Sequence, residues 1–149
     1  MSKGKKLAVA LAAIVTAPLV FACCVVLYTS ARYSGTGLYE ANWGVTLPDG
    51  ITELYRADGT GGLQGDGTRY TVYACGEIWG LSVELTTGAD EAFRAGFYEV
   101  TDELDVPGEH LPDFDAGCEC AAVTDAADER NNLYIVWDGE RLYLAEWIM

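Results

Sequence analysis

Residues 7–28, LAVALAAIVTAPLVFACCVVLY, run for 22 positions without a charged side chain. As a helix rising about 1.5 Å per residue, such a run reaches roughly 33 Å, a little more than the hydrocarbon core of a bilayer at about 30 Å. It predicts an N-terminal transmembrane helix serving as a signal anchor. Pro18 is compatible with it, because a kink in lipid is re-satisfied locally. A cleaved signal peptide and a lipoprotein signal cut before Cys23 are the alternatives. The run exceeds the apolar stretch of about 7–15 residues usual in a cleaved signal, although Thr29, Ser30 and Ala31 would serve as a small-residue cleavage site. Phe21 is bulky for a lipoprotein signal, and the chain stays apolar beyond Cys23. Lys3, Lys5 and Lys6 precede the run and only Arg32 follows it closely, which places the N-terminus on the cytoplasmic side of a cell membrane. The expected division is a basic tail over 1–6, the membrane helix over 7–28, a linker over 29–37 and an extracytoplasmic acidic domain over 38–149.

Charge is as unevenly spread as hydropathy. All 23 acids lie beyond residue 31 with the six arginines, so the outer part carries −17 against +3 at the N-terminus, −14 overall. Affinity for phosphates rests on cationic side chains, so this balance argues against a nucleic-acid partner. An anionic membrane surface would repel the domain as well. The partners it does fit are cationic: basic proteins, cationic peptides or divalent metals.

Local pattern predicts an α+β fold. Tyr39, Ala41, Trp43, Val45 and Leu47 alternate with polar or small residues and read as a strand over 38–47. Pro48, Asp49 and Gly50 are turn chemistry, and 51–57 and 68–75 read as two further strands. Residues 77–85 either extend the third strand past a bulge at Gly76 or begin another. Phe93, Phe97, Val100 and Leu104 form one apolar stripe of a helix, with Thr87 and Asp90 as a capping box and Pro107 beyond its end. A loop over 105–132 holds a short strand near 118–123. Asp138-Gly139 between two alternating runs predicts a hairpin over 133–148, with Trp137 opposite Glu140, Ile135 opposite Leu142 and Leu133 opposite Leu144. The sum is a small antiparallel sheet of five or six strands with one packed helix. Trp43, Trp79, Trp137 and Trp147 all fall on predicted strands, which assigns them to the core.

The pieces LPDGITELYRAD, GDGTRYTVY, VPGEHLPDF and NNLYIVWDGERLYLAEW, over most of residues 45–148, resemble a loose group of small uncharacterised bacterial proteins that are anchored or exported by an N-terminal apolar segment. The resemblance implies a short extracytoplasmic α+β domain and transfers no catalytic residue.

Candidate chemistry is sparse. The glycine-rich DGTGGLQGDGT over 58–68 lacks the lysine of a phosphate-binding loop, since Thr68 and Arg69 follow Gly67 and no lysine occurs after Lys6. A dinucleotide fingerprint fails because Gln64 stands where its third glycine belongs. Asp58 and Asp66 offer hard oxygens for calcium, but at a spacing that fits no standard loop, and the acids over 102–115, Asp113 and Asp115 among them, form a second candidate region. Cys75, Cys118 and Cys120 are disulfide candidates, with Cys75 bridged to either of the others and the third left over. Their spacing, and a single histidine, exclude a zinc knuckle. His110 beside Glu109 has no nucleophile motif to serve. These features predict no cofactor, with calcium as the one ion admitted. They favour a non-enzymatic interaction or structural module with a cationic partner; a calcium-stabilised or hydrolytic domain is the alternative.

Overall fold

A computed structural model of the chain describes Thr16, 18–25, 35–59 and 67–149. Two compact units divide it, Met1–Asn42 and Trp43–Met149. In the first, residues 18–25 are helical and exposed. The expectation of a transmembrane helix is corrected here. No helix among the described residues is long and apolar enough to cross a membrane. The single-pass membrane placement, and the extracytoplasmic orientation drawn from it, fall with the helix. Apart from Thr16, the remainder of 7–28 lies outside the described residues.

A short helix, α1 (Gly37–Trp43), stands where a strand was predicted. The alternation of Tyr39 with Trp43 is also an i, i+4 spacing, which a helix satisfies equally well. Gly44 follows at φ 65°, a left-handed residue of the kind that ends helices. Beyond it Val45 and Leu47 are buried.

The second unit is built on a six-stranded antiparallel sheet of β1 (Thr52–Asp58), β2 (Gly67–Ala74), β3 (Thr86–Thr87), β4 (Glu119–Thr124), β5 (Asn132–Trp137) and β6 (Arg141–Ile148). Their spatial order is β1-β2-β6-β5-β4-β3. Of the ambiguous stretch 77–85 nothing becomes a strand; it forms turns and bends ahead of the two-residue β3.

Helix α2 (Glu91–Glu103) packs across β2, β6 and β5. Its N-cap is Asp90, whose carboxylate accepts the Phe93 backbone N–H at 2.7 Å, while Thr87 belongs to β3. The cap therefore starts the helix three residues later than a Thr87 cap would. Phe97 and Val100 are fully buried, and with Tyr70, Val72, Val136, Tyr143, Phe114, Cys118 and Cys120 they form the core between helix and sheet. One close approach shapes this layer. A Cβ added at Gly96 would lie inside the Tyr134 hydroxyl and ring, so the glycine lets β5 come up against the helix. Alanine normally favours a helix interior by about 1 kcal/mol. Here Gly96→Ala is expected to lose about 1–3 kcal/mol by overpacking, read from urea unfolding, and Tyr134→Ala in the same chain should recover most of the loss.

The other sheet face carries Leu133, Ile135, Leu142 and Leu144, all fully buried. Trp43 reaches Glu146 on this face, so the segment through Val45 and Leu47 lies over it. The hairpin β5–β6 forms with a register two residues from the predicted one: Trp137 pairs with Leu142, Ile135 with Leu144 and Leu133 with Glu146. The turn centre is Gly139-Glu140, with Asp138 N donating to Arg141 O at 3.2 Å and Gly139 at φ 99°. Glycine at the first central position is the alternative two-residue turn, and it moves Asp138 onto the strand side. A shift of two leaves every side chain on its expected face.

Candidate functional site

The register gathers one set of ends together. Thr52 of β1, Ala74 of β2 and Arg141 of β6 are consecutive partners, and Trp137 of β5 lies beside Leu142 on one flank and Glu119 of β4 on the other. Connections 44–51, 75–85, 111–118 and 138–140 all emerge at this end. They carry the exposed acids Asp49, Glu77, Glu84, Asp113, Asp138 and Glu140. Asp113, Asp138 and Glu140 line a shallow hollow of about 240 Å³ with Ala116 and Gly117.

Asp138 is held firmly. Tyr143 Oη donates to its Oδ2 at 2.7 Å, and the N–H groups of Glu140 and Arg141 donate to Oδ1 at 2.9 and 2.7 Å. Partial burial pushes the carboxyl upward, but these hydrogen bonds and the Arg141 charge outweigh it and leave the group below its ordinary range. A depressed carboxyl is ionised at neutral pH, so the hollow keeps its negative charge. Tyr143 is correspondingly raised, by burial first and then by the Asp138 bond and charge.

Trp79 stands out at this end: it is 83% exposed. The turn that presents it is fixed. Leu81 N donates to Ile78 O at 3.1 Å, and Gly80 has φ 93°, the positive value a type II turn needs at its third residue. Ser82 ties the turn down, its N–H bonding Thr46 O at 3.1 Å and its Oγ accepting Thr46 N–H at 2.9 Å. Gly80 lies against Pro48, whose Cα would be 3.7 Å from a Cβ there, so this turn and the Pro48-Asp49-Gly50 turn are neighbours. The assignment of Trp79 to the core is thus corrected. The Trp79-Gly80 pair was the available signal, since a glycine one step after a large residue supplies a turn as readily as it interrupts a strand.

At the opposite end of the sheet lies a charged row. Asp58 pairs with Arg56 at 2.7 Å and with Arg69 at 2.6 Å, and Arg69 pairs in turn with Glu146 at 3.1 Å. Glu146 is 1% exposed and also accepts the Trp43 indole N–H at 2.9 Å. Burial raises Asp58, but the two arginines bring it below its ordinary value. Tyr73, on the same face, has a buried hydroxyl without a hydrogen-bond partner among the described residues, and burial first, then Glu53, pushes it up to about 12.

The calcium candidates do not converge. Asp58 is committed to two arginines, and Asp66 lies outside the described residues. Asp113 and Asp115 share a turn at the far end of the sheet, where Asp113 Oδ1 accepts Asp115 N–H at 3.0 Å and Asp115 pairs with Arg94 at 3.0 Å. Among the described residues no group of three or more His, Cys, Asp or Glu side chains comes together to hold a metal ion. Of the disulfide candidates, Cys118 and Cys120 meet with sulfurs 3.5 Å apart in the α2-side core, whereas Cys75 donates to Glu77 O at 3.2 Å outside that cluster. All three are free thiols. Burial pushes Cys120 up to about 12, the Cys118 hydrogen bond and charge add to it, and Arg94 opposes. His110 is a packing residue: its ring stacks on Tyr55 at 4.0 Å, and its carbonyl accepts the Tyr70 hydroxyl at 2.6 Å.

No protein-family model matches this chain, and no curated protein or solved structure matches it.

Proposed function

We propose that this protein is a non-enzymatic interaction module whose acidic sheet end docks a cationic protein partner, with Trp79 as the apolar anchor. The observation that carries this reading is a tryptophan 83% exposed on a hydrogen-bonded turn, at the end where the carboxylates collect. Tryptophan is the side chain most enriched among residues that dominate binding energy, and a pre-ordered turn loses little entropy when it docks. The acids at this end of the sheet favour a basic rim on the partner's pocket and raise its association rate. They also disfavour a second copy of this chain, which carries −14 itself.

Three probes test the reading: a lysine-leucine amphipathic peptide, its glutamate-leucine counterpart and polylysine. The basic amphipathic peptide should bind, shift tryptophan emission to the blue and weaken as salt rises. Trp79→Ala should lower its affinity about tenfold or more while leaving the unfolding midpoint in place, because the side chain is exposed. Equal binding of the basic amphipathic peptide by wild type and variant, or polylysine binding wild type as tightly as that peptide, removes Trp79 as the anchor.

A further inference from the structure

Cys118 and Cys120 bring their two sulfurs together in the core. They lie 3.5 Å apart, and the two residues are 2% and 3% exposed. A disulfide bond is about 2.05 Å long and holds its Cβ atoms about 3.5–4.5 Å apart, so closing the pair asks the sulfurs to approach by about 1.5 Å and the extended backbone at Cys118 to bend toward Cys120. Residues i and i+2 of a strand share a face, and here both face the α2 side with Phe97 and Phe114. Cys118 is also the less constrained of the two, since it precedes β4 and follows Gly117 at φ 89°.

The outer wall of the pair is thin. Gly88 N donates to Cys118 O at 2.9 Å, and Thr86 Oγ1 donates to Cys120 O at 3.2 Å. Both contacts come from the region of β3, a strand of two residues at the sheet's edge. An element held by so few bonds opens locally far more readily than the central strands, which gives a reagent a route to the sulfurs without global unfolding.

We infer that Cys118 and Cys120 are a redox-active dithiol that closes to an intrachain disulfide by exchange with a small-molecule disulfide of the glutathione class. One cysteine, as thiolate, attacks a sulfur of glutathione disulfide; the protein–glutathione bond forms, the glutathione S–S bond breaks, and the departing thiolate takes up the proton the cysteine released. The second cysteine then attacks the protein sulfur of that mixed disulfide, expels the second glutathione and passes on its proton in the same way. Two protein thiols are oxidised and one glutathione disulfide is reduced to two glutathiones. This inference is independent of the docking reading, since neither cysteine lies at the Trp79 turn.

Folded full-length protein in mixtures of reduced and oxidised glutathione, quenched in acid, alkylated and cut with trypsin, reports the pair directly. Cleavage after Arg94 and Arg130 yields peptide 95–130, which holds Cys118 and Cys120 and no other cysteine, while Cys75 travels in 70–94. As the mixtures become more oxidising, peptide 95–130 should lose both alkylation sites together and weigh about 2 Da less than its reduced form. Cys75 should remain alkylated. The midpoint should lie at a glutathione ratio about tenfold more reducing than for the same chain in urea, because the fold holds the sulfurs together. Two alkylated thiols at the most oxidising mixture, a cross-link between 95–130 and 70–94, or the same midpoint in urea would each overturn the inference. These readouts use the wild-type chain, so they hold even where Cys120→Ser does not fold.

Discussion

Replacing Glu146 with alanine should cost about 3–5 kcal/mol of folding stability, read as a lower urea midpoint at an unchanged m-value. Its carboxylate lies on β6, between β2 and β5, and is 1% exposed. It accepts the Trp43 indole N–H at 2.9 Å and the Arg69 guanidinium at 3.1 Å. Alanine removes the acceptor for the indole and one of the two carboxylates that pair with Arg69 among the described residues, leaving Asp58 at 2.6 Å. Most of the loss comes from the partners left behind, since a buried pair contributes little beyond a hydrophobic equivalent while a broken one leaves uncompensated charge. Glu146→Gln retains an oxygen for Trp43 and should lose less. A loss below about 1 kcal/mol for Glu146→Ala would show that the row does not fasten Trp43 to the sheet.

Phe97→Ala should have an effect of similar size, about 3–5 kcal/mol, by emptying the centre of the α2-side core. The ring is fully buried and meets Phe114 edge-on at 5.3 Å and Tyr70 at 5.8 Å, with Phe93 stacked beside it at 6.5 Å. Each edge-to-face neighbour adds a directional preference beyond the area it covers. Phe97→Leu fills much of the volume without the ring geometry and should lose roughly half as much. If leucine loses nothing, the aromatic arrangement contributes nothing of its own.

Period and turn chemistry made much of the second unit legible. β1, β2, β4 and the β5–β6 hairpin fall on stretches whose alternation or β-branched content marked them, and α2 follows its stripe of Phe93, Phe97 and Val100. Three of the readings that failed did so for identifiable reasons. Tyr39 and Trp43 satisfy a strand and a helix alike, and Gly44 at φ 65° was the stop signal that separates the two. Leu7–Tyr28 has the length and apolarity of a membrane span, but among the described residues no helix is long and apolar enough to cross a membrane. The Asp138-Gly139 pair marked a turn but not its centre, because aspartate serves either as a central residue or as the acceptor that closes the turn from outside. The candidate site was less visible still. Individual carboxylates can be counted along the chain, but their collection at one end of the sheet depends on a strand order that no local pattern encodes. Glu146 lay within an apolar run on the inward face, a combination that calls for a buried partner, though not for Trp43 in particular.

The placement of β6 has a consequence for how the chain is made. β1 and β2 form one half of the sheet and β3, β4 and β5 the other, and the two halves are joined through β6 alone. A ribosome releases β2 some seventy residues before its central partner, so during synthesis both halves present raw inner margins with their amides unpaired. This sheet is completed from the middle, by its last-synthesised strand. Until that strand arrives, the nascent protein is most exposed to pairing with a neighbouring chain, and a chaperone that shields strand edges would act there.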